Sequence, residues 1–307
     1  MKRIRNLAAA GRASVTAFAL AGTLAACDDS TSPSGDRLVL AFTGLEALAG
    51  GAHYEGWAIM PAGPVSTGKF DIGAGGVLVT VGGATIAGGE FATDFDLDAA
   101  SAIVITIEPA GDVDALPAIP KVLAGPVTNR SAPLSISATQ ALATNFSAAT
   151  GKFILATPTD GMNNNETSGV WFLEMVGGSP VAGLVLPTLP AGWRYEGWVL
   201  TGGQPVTTGT FTSASGADAA APYSGPMAAP PFPGEDFIVN APAGLTFPRN
   251  LSGGMAVISV EPNPDDSPAP FAIKPLTGAI PANAASFVTY TMTLNSASFP
   301  TGTATIR

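Results

Sequence analysis

An internal repeat is the feature that most constrains how this chain folds. The segment His53–Trp57 returns as Arg194–Trp198, and both copies contain Tyr-Glu-Gly-Trp. Pro64–Phe70 returns as Pro205–Phe211, and both pairs keep an offset of 141 residues. A long repeat of this kind predicts two structural units of one type, each with its own set of secondary-structure elements.

Two further matches extend the repeat and reveal an insertion. Ile103–Pro109 matches Ala256–Pro262, and Lys121–Gly125 matches Lys274–Gly278, both at an offset of 153 residues. The larger offset means that the second copy holds 12 extra residues, which fall in the Pro-, Gly- and Ala-rich stretch Gly216–Glu235. We therefore predict modules at residues 36–158 and 168–307, joined by a polar, turn-rich linker at 159–167.

The local pattern within each copy is that of β-strands. Ile103, Ile105 and Ile107 alternate with other residues, as the side chains on one face of an extended segment do. The chain also contains 37 Gly and 27 Pro, which interrupt helices and mark turns. These features predict an all-β protein of two tandem antiparallel β-sandwich modules, with a small barrel as the alternative architecture.

The N-terminus has the pattern of an export signal. Met1–Arg12 carries four basic residues and no acidic one, and the apolar run Ala13–Ala26 follows it. That run ends at Cys27, the only cysteine of the chain, in a Leu-Ala-Ala-Cys sequence that resembles the lipobox of bacterial lipoproteins. We expect a signal peptide at 1–26, a lipid on Cys27, a flexible tether at 27–35, and a location in the cell envelope outside the cytoplasm. The sequence leaves open which membrane carries the lipid.

The charge of the exported chain restricts its partners. Removing 1–26 leaves nine basic against 23 acidic residues, a net charge of about −14. Such a surface repels phosphate backbones, so we expect no nucleic acid partner. The expected contacts are the membrane, through the lipid on Cys27, and an envelope protein, while the oligomeric state stays open.

The repeated motifs also carry a family resemblance. Tyr-x-x-Trp, then Pro-Val-x-x-Gly-x-Phe, then an Ile/Val-rich strand ending in Glu-Pro resembles the extracytoplasmic domain of anti-sigma-K factors of the RskA type, here twice, over roughly 37–127 and 169–278. In that family the domain follows a membrane helix and a cytoplasmic sigma-binding domain, often with a zinc-type His and Cys cluster. This chain shows a lipobox in place of the helix. The resemblance therefore implies the fold and the extracytoplasmic setting, and we expect no direct binding of a sigma factor.

Residues for most catalytic chemistries are scarce. His53 is the only histidine, and its counterpart in the second copy is Arg194. We therefore interpret His53 as a strand residue that supports the neighbouring aromatic ring, and we expect no catalytic residue, no cofactor, no metal site and no small-molecule substrate.

A set of repeated aromatic and charged residues remains as the candidate binding or structural site. These residues are Tyr54, Glu55, Trp57, Glu108 and Lys121, with their counterparts Tyr195, Glu196, Trp198, Glu261 and Lys274. A carboxylate and a Trp on one strand face could bind a sugar, or they could belong to a half-buried strand. We predict that Lys121 and Lys274 each neutralise a carboxylate of their own module, either the Glu of the Glu-Pro strand or the Glu of the Tyr-Glu-Gly-Trp strand.

Three functions are compatible with these features. The first is a non-enzymatic envelope lipoprotein that acts as a binding or structural component. The second is an accessory or sensor in anti-sigma and sigma-factor regulation. The third is a carbohydrate-binding or carbohydrate-active envelope protein that uses the Glu and Trp side chains of the repeated strands.

Overall fold

A computed structural model describes residues 35–264 and 267–307 of the chain. The predicted signal peptide, the lipidation site Cys27 and all of the tether except Gly35 lie outside these residues. The described residues contain strands and three short 3-10 turns, at Ala74–Gly76, Ala87–Gly89 and Ser296–Ser298, and no α-helix. The all-β prediction is confirmed.

The described part of the chain contains twenty strands. The first eight are β1 (Arg37–Thr43), β2 (His53–Met60), β3 (Gly63–Ile72), β4 (Leu78–Val79), β5 (Glu90–Ala92), β6 (Ala102–Glu108), β7 (Lys121–Pro126) and β8 (Ser131–Ser135). The next eleven are β9 (Thr150–Leu155), β10 (Gly169–Trp171), β11 (Leu173–Val176), β12 (Ser179–Ala182), β13 (Leu184–Val185), β14 (Trp193–Thr201), β15 (Gln204–Phe211), β16 (Gly234–Asp236), β17 (Met255–Pro262), β18 (Leu276–Ala279) and β19 (Tyr290–Leu294). The last is β20 (Thr301–Ile306).

These strands form two large sheets and a small one. The first sheet has the order β4-β3-β2-β6-β7-β8-β20-β1-β5. The second has the order β15-β14-β17-β18-β19-β9-β10-β16, with β13 also paired to β9, and β11 and β12 form a separate hairpin. Neighbouring strands within each sheet run antiparallel, as predicted.

The first sheet curves until its two ends face each other across a core. Phe91 of β5 packs on β3, so closely that a Cβ on Gly68 would lie 2.6 Å from its ring. Leu40 of β1 reaches the backbone of β2 at Gly56. Tyr54 also belongs to this core and is fully buried. The result is a sandwich-like arrangement within a single curved sheet.

The last strand of each predicted module belongs to the sheet that the other module mainly forms. β9, inside the predicted module 36–158, pairs with β10, β13 and β19 of the second sheet. β20, inside the predicted module 168–307, pairs with β1 and β8 of the first sheet. The strand pairing therefore differs from the predicted module limits. β9 and β10 are consecutive strands joined by residues 156–168, and consecutive strands commonly pair, which leaves the equivalent strand β20 to complete the first sheet.

The exchange brings the two ends of the described chain together. The N–H of Arg37 donates to the carbonyl of Arg307 at 2.9 Å, and the N–H of Arg307 donates back at 2.8 Å. The predicted linker at 159–167 is turn-rich, but its first residue, Thr159, is fully buried. The described residues, 35–264 and 267–307, belong to one compact unit.

Candidate functional site

The two copies of the Tyr-Glu-Gly-Trp motif lie on β2 and β14 in closely similar surroundings. The Tyr54 hydroxyl donates to the carbonyl of Glu46 at 2.9 Å, and the Tyr195 hydroxyl donates to the carbonyl of Pro187 at 2.6 Å. Each ring stacks on the Phe of the neighbouring strand, with centroids 5.5 Å and 5.6 Å apart. Both tyrosines are buried, so they hold the preceding loop against the core.

The two tryptophans are internal in both copies. Trp57 is 1% exposed and donates its indole N–H to the Thr106 hydroxyl at 2.9 Å, and Trp198 is 2% exposed and donates to the Ser259 hydroxyl at 2.8 Å. Trp57 packs on the opposite face of β2 from Tyr54, as strand alternation predicts. A ring this deeply buried cannot stack on a sugar, so Trp57 and Trp198 do not support the carbohydrate hypothesis.

The glutamates of the motif are buried beside a hydroxyl from the neighbouring strand. Ser66 of β3 donates to Oε1 of Glu55, and Thr207 of β15 donates to Oε1 of Glu196. Burial raises the pKa of Glu55 above its usual range, although the hydrogen bond from Ser66 and the nearby ammonium of Lys69 act in the opposite direction. One carboxylate oxygen is thereby fixed in each copy.

The glutamates of the two Glu-Pro strands hold the loops that follow them. Glu108 accepts hydrogen bonds from the Thr106 hydroxyl and, at 3.0 Å, from the backbone N–H of Ala118. Glu261 accepts from the backbone N–H of Phe271 at 2.9 Å and 3.2 Å. Both glutamates are buried. These contacts are those of a structural carboxylate.

The prediction for Lys121 and Lys274 is wrong. Within residues 35–264 and 267–307, neither ammonium lies within ion-pair distance of a carboxylate. The cation that faces Glu55 is Lys69, 3.7 Å from Oε2. Lys69 stands directly opposite Glu55 on the adjacent strand, and directly opposed residues share a face of the sheet.

A cluster of charged and titratable groups surrounds Glu55 in the first sheet. The Lys69 ammonium donates to Oδ2 of Asp112 at 2.9 Å and to the Asp112 carbonyl at 2.7 Å. This ion pair holds the pKa of Asp112 below its usual range. Atoms of His53, Glu55 and Asp112 that could bind a metal ion all lie within 4.8 Å of one another. The cluster is therefore compact enough to enclose one cation.

The corresponding place in the second sheet carries different groups. Arg194 stands where the first copy has His53, and Thr210 stands where it has Lys69. A cleft of about 480 Å³ opens here, lined in part by Arg194, Glu196, Thr210 and Glu261. Asp265, the sequence counterpart of Asp112, lies outside the described residues. The positive charge thus comes from β14 in the second copy and from β3 in the first.

The inserted segment packs against its own sheet and buries acidic groups. Phe232 is buried, and Tyr223 contacts Phe237 with ring centroids 5.9 Å apart. Burial raises the pKa of Glu235 to about 8 and that of Asp218 to about 7. The first copy has no counterpart of this insertion, so the repeat gave no signal for these buried acids.

The role of Lys69 was not predicted from the sequence. Its signal was present, because Pro64–Phe70 and Pro205–Phe211 match closely except at a few positions, one of them Lys69 against Thr210. The loss of a charge in one copy coincides with the gain of another, at Arg194. The two copies thus carry a cation on different strands, β3 in the first and β14 in the second.

Comparison with known proteins gives one match. Residues 5–127 match the family described as anti-sigma-K factor rskA, C-terminal, and residues 5–34 of this range lie outside the described part. No curated protein and no solved structure matches the chain. In the described part of the chain, no helix has the length and apolar character needed to cross a membrane.

The match confirms the resemblance that the motifs of the first copy predict. It ends at residue 127, so the assignment of the second copy to the same family stays a prediction. Residues 5–127 of this chain are therefore similar to the C-terminal domain of anti-sigma-K factor rskA.

Proposed function

We propose that this protein is a non-enzymatic lipoprotein of the bacterial cell envelope that acts as a binding component in regulation related to anti-sigma factors. A lipid on Cys27 holds it to a membrane, and the folded part lies outside the cytoplasm. The similarity of residues 5–127 to the rskA C-terminal domain supports the regulatory setting. The lipobox-like sequence before Cys27 supports the anchor. The protein acts without touching the sigma factor itself.

The observation that carries the binding role is an exposed apolar loop, residues 109–120, between β6 and β7. Val113 is 94% exposed, Leu116 67% and Ile119 65%. Three apolar side chains left in water on one loop are typical of a surface that contacts another protein. The four glutamates of the repeated motifs, in contrast, are buried, and each accepts a hydrogen bond within the fold.

The surroundings of this loop indicate the character of its partner. A groove of about 400 Å³ lies beside it, and its lining is mostly apolar: Gly50, Ala52, Ile107, Glu108, Pro109, Ala110, Ala118, Ile119, Pro120, Pro262, Asn263 and Pro264. Asp114 is exposed on the same loop as these apolar residues. We therefore propose that the occupant is an extracytoplasmic segment of a membrane-anchored envelope protein, with apolar side chains flanked by basic ones.

Site-specific crosslinking in intact cells tests this function. A photoreactive residue at position 116 is expected to give an adduct with an envelope membrane protein. The matched control is the photoreactive residue at position 185, because Val185 is similarly exposed, at 61%, and lies on β13 of the second sheet. Equal adducts from both positions, or an adduct with a cytoplasmic sigma factor, would contradict the proposal.

The anchor is tested separately by replacing Cys27. The Cys27→Ser chain is expected to be released as a soluble exported protein or to persist as an uncleaved precursor, because no lipid can be added to serine. Cell fractionation with immunodetection measures both forms. A mature-sized variant that stays with the membranes after a salt wash would show that something other than the lipid holds it.

A further inference from the structure

We propose that His53, Glu55 and Asp112 form a binding site for a divalent transition-metal ion of the zinc class. This inference does not depend on the proposed function. It concerns the charged cluster of the first sheet, where β2 supplies His53 and Glu55 and the loop after β6 supplies Asp112. Atoms of the three side chains capable of binding a metal lie within 4.8 Å of one another.

His53 is buried without a hydrogen-bond partner. Its side chain belongs to a residue that is only 3% exposed, and neither Nδ1 nor Nε2 has a hydrogen-bond partner. Buried polar atoms in folded proteins nearly always have partners, so a buried imidazole without any is an exception that requires an explanation. A metal ion would use one of these nitrogens as a ligand and satisfy it.

Glu55 has one carboxylate oxygen that is hydrogen-bonded and one that is not. Its Oε1 is fixed by the Ser66 hydroxyl, whereas its Oε2 is buried and accepts no hydrogen bond. A hydrogen bond to one oxygen of a carboxylate orients the other, as the outer partners of metal ligands do. The oxygen left over is therefore held in place next to His53 and Asp112.

A cation, the ammonium of Lys69, already lies in the cluster. The Lys69 ammonium lies 2.9 Å from Oδ2 of Asp112 and 3.7 Å from Oε2 of Glu55. The Lys69 side chain is 31% exposed, so it reaches the cluster from the rim and can withdraw into water on its flexible stem. A metal ion would replace the ammonium between the same two carboxylates.

The donor set selects the class of metal. One imidazole nitrogen and two carboxylate oxygens suit zinc and its neighbours, whereas magnesium and calcium prefer sites made of oxygen alone. Three protein ligands leave a further position for water. No metal site was predicted from the sequence, and a mixed site of one His and two carboxylates was not weighed.

The second copy provides an internal contrast. Arg194 and Thr210 stand where the first copy has His53 and Lys69. A guanidinium carries a permanent positive charge and offers no lone pair to a metal. The proposed site is thus specific to the first sheet, and Arg194→Ala serves as a matched control on the equivalent strand.

The experiment is a titration of the full chain carrying Cys27→Ser, exported and purified without a histidine tag, because a free thiol or a tag would bind metal itself. Zinc binding is measured by calorimetry and cobalt binding by visible absorption. One ion per chain is expected, and His53→Gln and Asp112→Asn should each weaken binding about 10- to 100-fold or more. Arg194→Ala should leave the affinity unchanged.

Lys69→Ala is the decisive variant, since it removes the competing ammonium and should bind zinc several-fold more tightly than the parent. A gain of affinity cannot arise from a misfolded protein, so this result does not depend on how well the ligand variants fold. The proposal is overturned if zinc at millimolar concentration does not bind, if binding is the same in His53→Gln and Asp112→Asn, or if Lys69→Ala binds no more tightly.

Discussion

The first and second copies of the Tyr-Glu-Gly-Trp motif share a scaffold and differ in the charges placed upon it. In both, the Tyr hydroxyl bonds a loop carbonyl, the Trp indole bonds a buried hydroxyl, and a hydroxyl on the next strand bonds the Glu. Around that Glu, the first copy has His53 and Lys69, and the second has Arg194 and Thr210. The difference separates residues that build the sheet from residues free to take on a ligand.

The scaffold includes an irregularity that both copies keep. The pairing of the motif strand with its neighbour shifts between Gly56 and Trp57 in one copy and between Gly197 and Trp198 in the other. A Cβ on Gly56 would lie 2.5 Å from the hydroxyl oxygen of Thr67. Glycine is needed here because the hydroxyl occupies the space of a side chain. The bulge turns the Trp and Glu side chains into the same positions in both sheets.

The largest expected effect comes from breaking the exchange of strands between the sheets. Deleting Thr301–Arg307 removes β20, which lies between β8 and β1, and should destabilise the first sheet by more than about 5 kcal/mol. Hydrogen exchange followed by mass spectrometry should show lost protection in β1 and β8. The control Thr303→Ala changes an exposed side chain of the same strand and should have little effect. Loss confined to β10 and β19 would instead assign β20 to the second sheet.

Removing either tryptophan should have the next largest effect. Trp57→Ala and Trp198→Ala are each expected to lower the free energy of unfolding by about 3–5 kcal/mol, because each leaves a cavity in a buried cluster. Trp57→Phe keeps most of the ring, and the loss of the hydrogen bond to Thr106 should cost about 1–3 kcal/mol. Urea denaturation measures all three. If Trp57→Ala has the same urea midpoint as the parent, the ring is not part of the core, and the sugar-binding hypothesis would have to be reconsidered.

Two sets of acids, Glu235 with Asp218 and Asp112 alone, should respond to pH in opposite directions. Because the folded-state pKa values of Glu235 and Asp218, about 8 and about 7, lie above the unfolded values of about 4, the folded protein takes up protons first. These groups therefore stabilise the fold as pH falls from about 9 to about 5. Asp112 behaves inversely, since the hydrogen bond from Lys69 lowers its pKa, and its contribution is lost below about pH 4.

Thermal unfolding across this pH range gives the measurement. Glu235→Gln combined with Asp218→Asn should flatten the rise between pH 9 and pH 5 relative to the parent, while leaving the loss at acid pH in place. Asp112→Asn should do the reverse. An unchanged rise in the double variant would mean that the two acids are not held in a buried environment.

Local patterns predicted the parts of this molecule that depend on local geometry. The predicted strand alternation is present along β2, where Trp57 and Ile59 pack on one face and Tyr54 packs on the other. The pairing of Lys69 with Glu55 was also within reach, because β2 and β3 form a hairpin whose register follows from its short turn. Lys121 was chosen instead because it repeats in both copies, and repetition marks the scaffold rather than the partner of a charge.

The exchange of β9 and β20 could not be predicted from the same information. The two strands begin alike, with Thr150-Gly151 in one and Thr301-Gly302 in the other, so either could complete either sheet. Which one does so depends on the path of the connection. The acids of the inserted segment are a similar case, because a segment without a counterpart carries no repeat from which burial could be inferred.

The central claim is that the two copies share one scaffold and that only the first binds a metal ion. The most direct test is to give the first copy the residues of the second at the two positions where their charges differ. The double variant His53→Arg and Lys69→Thr is expected to fold with a free energy of unfolding within about 1 kcal/mol of the parent, because Arg194 and Thr210 occupy the same positions in the second sheet. It should no longer bind zinc. An unfolded variant would contradict the equivalence of the two scaffolds, and a folded variant with the zinc affinity of the parent would contradict the assignment of the site to His53.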